Sequence, residues 1–143
     1  MGFASFSTKL QTILAGLVGA GKTYAAAYGF FNPEPIGYPY LVITPQAGSK
    51  EERLTTIENK LFIRYQILGI WKTDNELATE TAKATAIDEV LALLRKKTNV
   101  DTLDGEVNRF DIESIDPVET ETSEAVTGFR ITVIGMVVTD ITL

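Results

Sequence analysis

Gly16-Leu17-Val18-Gly19-Ala20-Gly21-Lys22-Thr23 fits the pattern G-x-x-x-x-G-K-[ST]. In that pattern backbone N–H groups and the lysine cradle phosphates, and the final hydroxyl holds a magnesium ion. Gly16, Gly21, Lys22 and Thr23 would carry that chemistry. Context decides, because a phosphate loop follows a strand, opens a helix and sits in a parallel sheet with crossover helices. Here the residues before Gly21 carry a helical stripe that needs Leu17 and Val18, and the two strand-like segments that follow have no helix between them. The nearest candidate for a partner carboxylate is Asp140, after Met136-Val137-Val138-Thr139, with no room for what should follow. The stretch therefore reads as a helix end and a glycine turn, a decoy for nucleotide binding, and no cofactor is expected.

Other chemistry is thinner. Asp111 with Glu113, and Glu119 with Glu121, are i, i+2 pairs on one strand face, the spacing of an acid/base or metal-holding pair. Nothing near them in the sequence supplies an apolar pocket or a third ligand, and solvated strand edges show the same spacing. The chain has no His and no Cys, which removes the usual zinc, haem, thiolate and Ser-His-Asp sites. Neither an enzyme nor a metal site is expected. Trp71 and the tyrosines at 24, 28, 38, 40 and 65 could stack on bases, but in an acidic chain they read as core or protein-interface aromatics.

The 143 residues carry a formal net charge of −6, with a sequence pI near 4.7. That balance argues against a nucleic-acid-binding module, which needs cations for phosphates. Nine acids lie within residues 101–124 (Asp101, Asp104, Glu106, Asp111, Glu113, Asp116, Glu119, Glu121 and Glu124) against one base, Arg109. They read either as a solvated strand-and-loop face or as a surface that repels something anionic or meets a basic partner. With 45% hydrophobic residues the chain is expected to fold as one domain over 1–143. No membrane span and no signal peptide are expected from its apolar runs.

The elements that must position these residues follow from periodicity. Leu10, Ile13, Leu14, Leu17 and Val18 form one buried helical stripe, with Ser7 at the N-cap position. Residues 40–44 are β-branched and aromatic and are closed by Pro45, and 46–57 reads as a polar connection. In 59–72, Leu61, Ile63, Tyr65, Ile67 and Trp71 share one side of a strand, with Phe62, Leu68 and Ile70 on the other, so part of it is covered on both faces. A second helix fits 79–97, with Ala84, Ile87, Val90, Leu91 and Leu94 on its inner stripe and bases closing its last turn. Strands at 107–115 and 129–141 are joined by the polar stretch 116–128. The expected fold is α+β: helix-strand-strand-helix-strand-strand, a mainly antiparallel four-stranded sheet with both helices packed on one face.

The segment Phe30-Phe31-Asn32-Pro33-Glu34-Pro35-Ile36-Gly37-Tyr38-Pro39-Tyr40-Leu41-Val42 resembles the aromatic, Pro-rich entry to the first strand in tail terminator (tail-completion) proteins of long-tailed bacteriophages. The linker Glu51-Glu52-Arg53-Leu54-Thr55-Thr56 before Phe62-Ile63-Arg64-Tyr65-Gln66-Ile67 is similar to that family too. So is Thr102-Leu103-Asp104-Gly105-Glu106-Val107 after the second helix, as is the closing apolar strand. The resemblance implies a structural virion protein, made in the host bacterial cytoplasm. It would form a homo-hexameric ring that caps the finished tail tube, stops addition of tube protein and offers a surface to the head's connector or stopper. A neighbouring neck or head-completion ring is the alternative. Such a ring would bury Tyr38, Tyr40, Phe62, Leu68 and Ile70 between subunits or against partners, and subunits could pair strand edges. Asp111, Glu113, Asp116, Glu119, Glu121 and Glu124 would line the lumen and let DNA pass without specific binding.

Overall fold

The computed structural model describes residues 2–30, 36–55, 58–72, 76–119 and 126–140. Two long antiparallel strands dominate it. β4 (Glu58–Lys72) and β6 (Val126–Asp140) pair along their whole length, from Glu58 opposite Asp140 to Lys72 opposite Val126. The odd-numbered residues of both strands, Ile63, Tyr65, Ile67, Trp71, Phe129, Ile131, Val133 and Val137, are buried in one cluster with the helices. This is the two-residue period that the sequence shows.

Four further strands complete the sheet. β1 (Ala26–Tyr28) runs parallel to β2 (Tyr40–Pro45), which pairs antiparallel with the second half of β4. β3 (Lys50–Arg53) pairs with the first half of β4, so β2 and β3 lie end to end on its flank. β5 (Arg109–Glu119) lies outside β6, giving the order β1-β2-β4-β6-β5. The fold is α+β with two helices and a six-stranded, mostly antiparallel open sheet. The expected element order is corrected, because four strands rather than two stand between the helices. β1 is too short to announce itself, and β3 is Lys-Glu-Glu-Arg, all exposed, with no apolar alternation to read.

Both helices are shifted from their expected positions. α1 (Phe3–Leu14) starts earlier and buries Phe6, Leu10 and Leu14; Ala15–Leu17 then tightens into a 3-10 turn and Val18 is extended. Ser7 is thus inside the helix, accepting a hydrogen bond from Gln11 Nε2 at 3.0 Å, and Ser5 closes the N-terminus on Gly2. α2 (Glu76–Leu94) ends before its basic tail, so Arg95, Lys96 and Lys97 lie beyond its last turn. Its buried residues are Lys83, Ala86, Val90, Leu91 and Leu94, with Ile87 packed against the core, so of the expected stripe only Ala84 is exposed. Lys83 is admitted because its Nζ donates to Thr127 Oγ1 at 2.9 Å and to Glu80 at 3.0 Å.

Glycines let aromatic rings onto the central ribbon. A Cβ at Gly69 would meet Phe129 Cε1 at 2.3 Å and Trp71 Cζ3 at 2.7 Å. A Cβ at Gly135 would meet Phe6 Cε2 at 2.6 Å. Each glycine is the floor on which a ring sits, a device known from sheets in which aromatics cover glycines. We expect Gly69→Ala to cost about 1–3 kcal/mol by overpacking. Gly16→Ala, where a Cβ meets nothing within 4 Å, should stay within about 0.5 kcal/mol. Urea midpoints at unchanged slope measure both.

Candidate assembly surface

The Gly16–Thr23 stretch does not have the surroundings of a phosphate loop. It follows a helix and leads to the short parallel strand β1, with no helix opening at Thr23. Lys22 Nζ donates to the Gly16 carbonyl at 3.0 Å, and the Thr23 hydroxyl donates to the Glu89 carboxylate on α2. Gly19 (φ 134°) and Gly21 (φ 76°) supply the backbone that L side chains rarely adopt. The Gly19 and Tyr24 amides close the loop on the Tyr24 and Leu17 carbonyls. What the loop delivers is Tyr24, fully buried, edge-on to Trp71 at 5.7 Å and donating to the Ala86 carbonyl at 3.1 Å.

Burial, with the Glu89 charge nearby, pushes the Tyr24 hydroxyl well above its ordinary value. The unfolded chain ionises this phenol near pH 10 while the folded chain keeps it neutral, so its contribution is complete below pH ~10 and is lost as pH rises further. Tyr24→Phe should therefore cost about 1 kcal/mol at pH 7, from the lost hydrogen bond, and should flatten the fall in stability above pH 10. Denaturant titrations at pH 8 and pH 11 give both effects.

The resemblance-bearing segment 102–107 also has a structural role. Leu103, Asp104 and Gly105 take positive φ in succession (48°, 56° and 81°), and Thr102 Oγ1 accepts from the Gly105 amide at 3.1 Å. The turn drives Leu103 and Val107 into the core.

The expected contact residues lie on the sheet face away from the helices. Tyr40, Phe62, Leu68 and Ile70 share it, as the pairings Tyr40–Ile70 and Val42–Leu68 require. Ala26, Tyr40 and Val42 form a second buried cluster, with Tyr28, Leu68 and Ile70 packed against it. The rings form a ladder: Tyr38 to Tyr40 at 5.3 Å, Tyr40 to Tyr28 at 5.8 Å, Tyr28 to Phe30 at 5.7 Å. It runs from Tyr40, 8% exposed, outward to Tyr38 at 39% and Phe30 at 58%. Desolvation, then the neighbouring Tyr38 and Tyr28 hydroxyls, raise the Tyr40 hydroxyl's pKa. Phe62 stands at the opposite end of this face, with Ile134, Met136, Lys60, Arg109 and Asp111 around a groove of about 320 Å³. The five contact residues thus form two groups rather than one patch.

Between them the face is ionic. Arg64 on β4 reaches over β6 to make a two-point pair with Glu113, its Nε to Oε2 at 2.7 Å. Arg109 Nε meets Asp111 at 2.9 Å, and Arg130 stands 3.8 Å from Asp116. A bulge between Ile112 and Ser114 shifts the alternation of β5, so that Asp116, opposite Arg130, shares this face with Asp111, opposite Ile134. So Asp111, Glu113 and Asp116, an acidic run in the sequence, are each matched by an arginine. Arg64 and Arg130 come from other strands, which is why the linear sequence hides them. Glu119 ends β5, and Glu121 and Glu124 lie outside the described residues. Among the described residues no group of three or more acids is placed to hold a metal ion, and no helix is long and apolar enough to cross a membrane.

The Arg64–Glu113 pair is partly solvated, so Glu113→Gln should cost about 0.2–1 kcal/mol. Most of that difference should vanish at 1 M salt, where screening acts within ~3 Å. Thermal melts of both chains at low and high salt check it.

The free edges of the sheet are poor templates for strand addition. β1 has three residues, β3 is wholly charged and exposed, and β5 carries its bulge and Pro117. The Phe110 amide is taken by the Asp101 carbonyl at 2.7 Å. These are the devices by which sheets resist edge pairing, and they weigh against the expected pairing of edges between subunits.

No protein-family model and no curated protein sequence matches the chain.

Proposed function

We propose that the chain is a structural assembly protein of the bacteriophage tail-terminator type. In this reading it forms a ring, hexameric as the resemblance implies, at the head-proximal end of a tail tube. There it ends tube polymerisation and joins the tail to the head connector. The observation that carries the reading is the ordered aromatic ladder Phe30–Tyr28–Tyr40–Tyr38. Three of its four rings, Phe30, Tyr38 and Tyr40, lie in the segment on which the resemblance rests, and the ladder brings large apolar side chains to the surface at one margin of the sheet. A pre-organised aromatic corner of this kind suits a protein contact better than small-molecule chemistry.

The ionic face refines the picture of the lumen. With Asp111, Glu113 and Asp116 matched by arginines, repulsion of DNA would rest on the remaining acids and on the net charge of −6. That charge still opposes phosphate binding.

The test is tail length in electron micrographs of the encoding phage after deletion of this gene. Over-long, headless tubes of variable length are the expected result. Tails of normal length that fail to join heads would move the protein to the neck and end the terminator reading.

A further inference from the structure

The aromatic corner has a counterpart at the far margin of the sheet. Around β1 and β2, Phe30, Ile36 and Tyr38 are 58%, 82% and 39% exposed. They are held in place: the Ile36 amide donates to the Tyr28 hydroxyl at 3.0 Å, Phe30 packs tilted on Tyr28, and Tyr38 meets Tyr40 edge-on. At the other end of the strand order, the helices leave the β5 margin uncovered. Ile115 pairs with the fully buried Ile131, yet is itself 43% exposed, and Val100 beyond α2 is 40% exposed. Between them runs a groove of about 490 Å³, lined by the apolar Leu94, Val100, Ile112 and Ile115 and by the charged Arg95, Asp111 and Glu113. That is within the ~300–1,000 Å³ of clefts that bury a small ligand, and so has room for one or two side chains.

We propose that copies of this chain associate head to tail, the corner of Phe30, Ile36 and Tyr38 on one copy seating in the groove beside β5 of the next. The inference builds on the assembly reading above and names its contact. Three observations select a second copy as the occupant. First, corner and groove lie at opposite ends of one sheet, so every copy presents both halves of a heterologous contact, the type that generates rings. Second, the groove offers a cation to the corner: its acids, Asp111 and Glu113, are already paired with Arg109 and Arg64. Arg95 on the groove rim is exposed and has no carboxylate partner among the described residues, and the corner offers aromatic faces, which attract a guanidinium. Residues 24–44 contain a single charge, Glu34, so the corner carries little that docking would have to desolvate. Third, the blunted edges leave side-chain surfaces as the available means of contact.

The chain has no cysteine, which makes the contact easy to map. Ile36→Cys and Ile115→Cys chains, each checked for an unchanged thermal melt, are treated with a short bismaleimide alone and mixed. The mixture should give 1:1 covalent dimers at about tenfold the yield of either chain alone. The chain carrying both substitutions should give a covalent ladder. Adding Tyr38→Ala to the Ile36→Cys chain should reduce the dimer about tenfold. Sedimentation of the unmodified chain, run in parallel, reports association independently of the surface used. Association without the mixed crosslink would overturn this contact and leave the ring reading standing. Efficient crosslinking of the Ile36→Cys chain to itself would mean a two-fold contact and also overturn it. A chain that neither sediments as an oligomer nor crosslinks has no such self-contact, while tail length separately judges the terminator assignment.

Discussion

The ladder between β4 and β6 is the constraint on which the other elements depend. Fifteen-residue strands paired without a register shift form a twisted ribbon whose inner side must be covered by apolar groups. Two glycines on that side, Gly69 and Gly135, sink Phe129 and Phe6 onto the backbone and so fix where the helices can lie. Phe6 brings α1 to the ribbon and meets Tyr65 at 5.4 Å and Phe110 at 6.3 Å. Trp71 lies 5.5 Å from Phe129 and receives Tyr24, which ties the glycine loop to α2 through Ala86. A methyl group at Gly135 would therefore disturb α1 as well as the strand, and one at Gly69 would displace Phe129 and Trp71.

The two sides of the sheet follow different physics. Toward the helices the side chains are apolar and buried, and their association is non-directional. On the opposite side the β1 margin is aromatic, while the middle and the β5 margin are ionic, with three arginine–carboxylate pairs on β4, β6 and β5. Pairs of this exposure add little stability, but they fix where charge sits on the face. That leaves the aromatic corner at the β1 margin and, beside α2, the mixed apolar and charged groove at the β5 margin as the surfaces a partner could cover at the two ends of the strand order.

The long strands were legible because one side of each is buried, so that Ile63, Tyr65 and Ile67, or Ile131 and Val133, repeat with period two. β3 was hidden because all its residues are exposed, so its pairing with β4 leaves no apolar alternation to read. α2 keeps Ile87, Val90, Leu91 and Leu94 of its apparent stripe against the core, while Lys83 takes a buried place that Ala84 was expected to hold, because its ammonium finds Glu80 and Thr127, a tertiary satisfaction that residue type cannot announce. The glycine-lysine-threonine motif shows the converse: its spacing fits, while its neighbours place it after a helix and before a strand. For the surface, Tyr38 and Tyr40 were visible as aromatics near a strand entry. Phe30 and Ile36 carried the resemblance without being marked as contact residues, and Val100 and Ile115 were not singled out. What separates them is exposure, which depends on how far the helices extend over the sheet. The near absence of charge across 24–44 was the one sequence signal that could have marked the corner as a surface to be buried.

Blunted edges and two distinct margin surfaces together restrict the kind of assembly open to this fold. Edge pairing would add strands without limit, and the charged β3, the short β1 and the bulged, proline-bearing β5 all oppose it. A heterologous side-chain contact can also propagate, unless the rotation between neighbours closes it into a ring. A protein that ends the growth of a tube must not itself grow, so the terminator reading demands closure. Rigidity of the contact is what makes closure definite, because a loose contact would permit rings of several sizes and open chains. The aromatic ladder meets that need. Its rings have few rotamers to lose, Tyr40 roots it in a buried cluster, and the Ile36 amide is tied to Tyr28 before any partner arrives. On this view the corner's contribution is a fixed angle between subunits as much as binding energy, and the stiffness of β4 and β6 carries that angle from one margin of the sheet to the other.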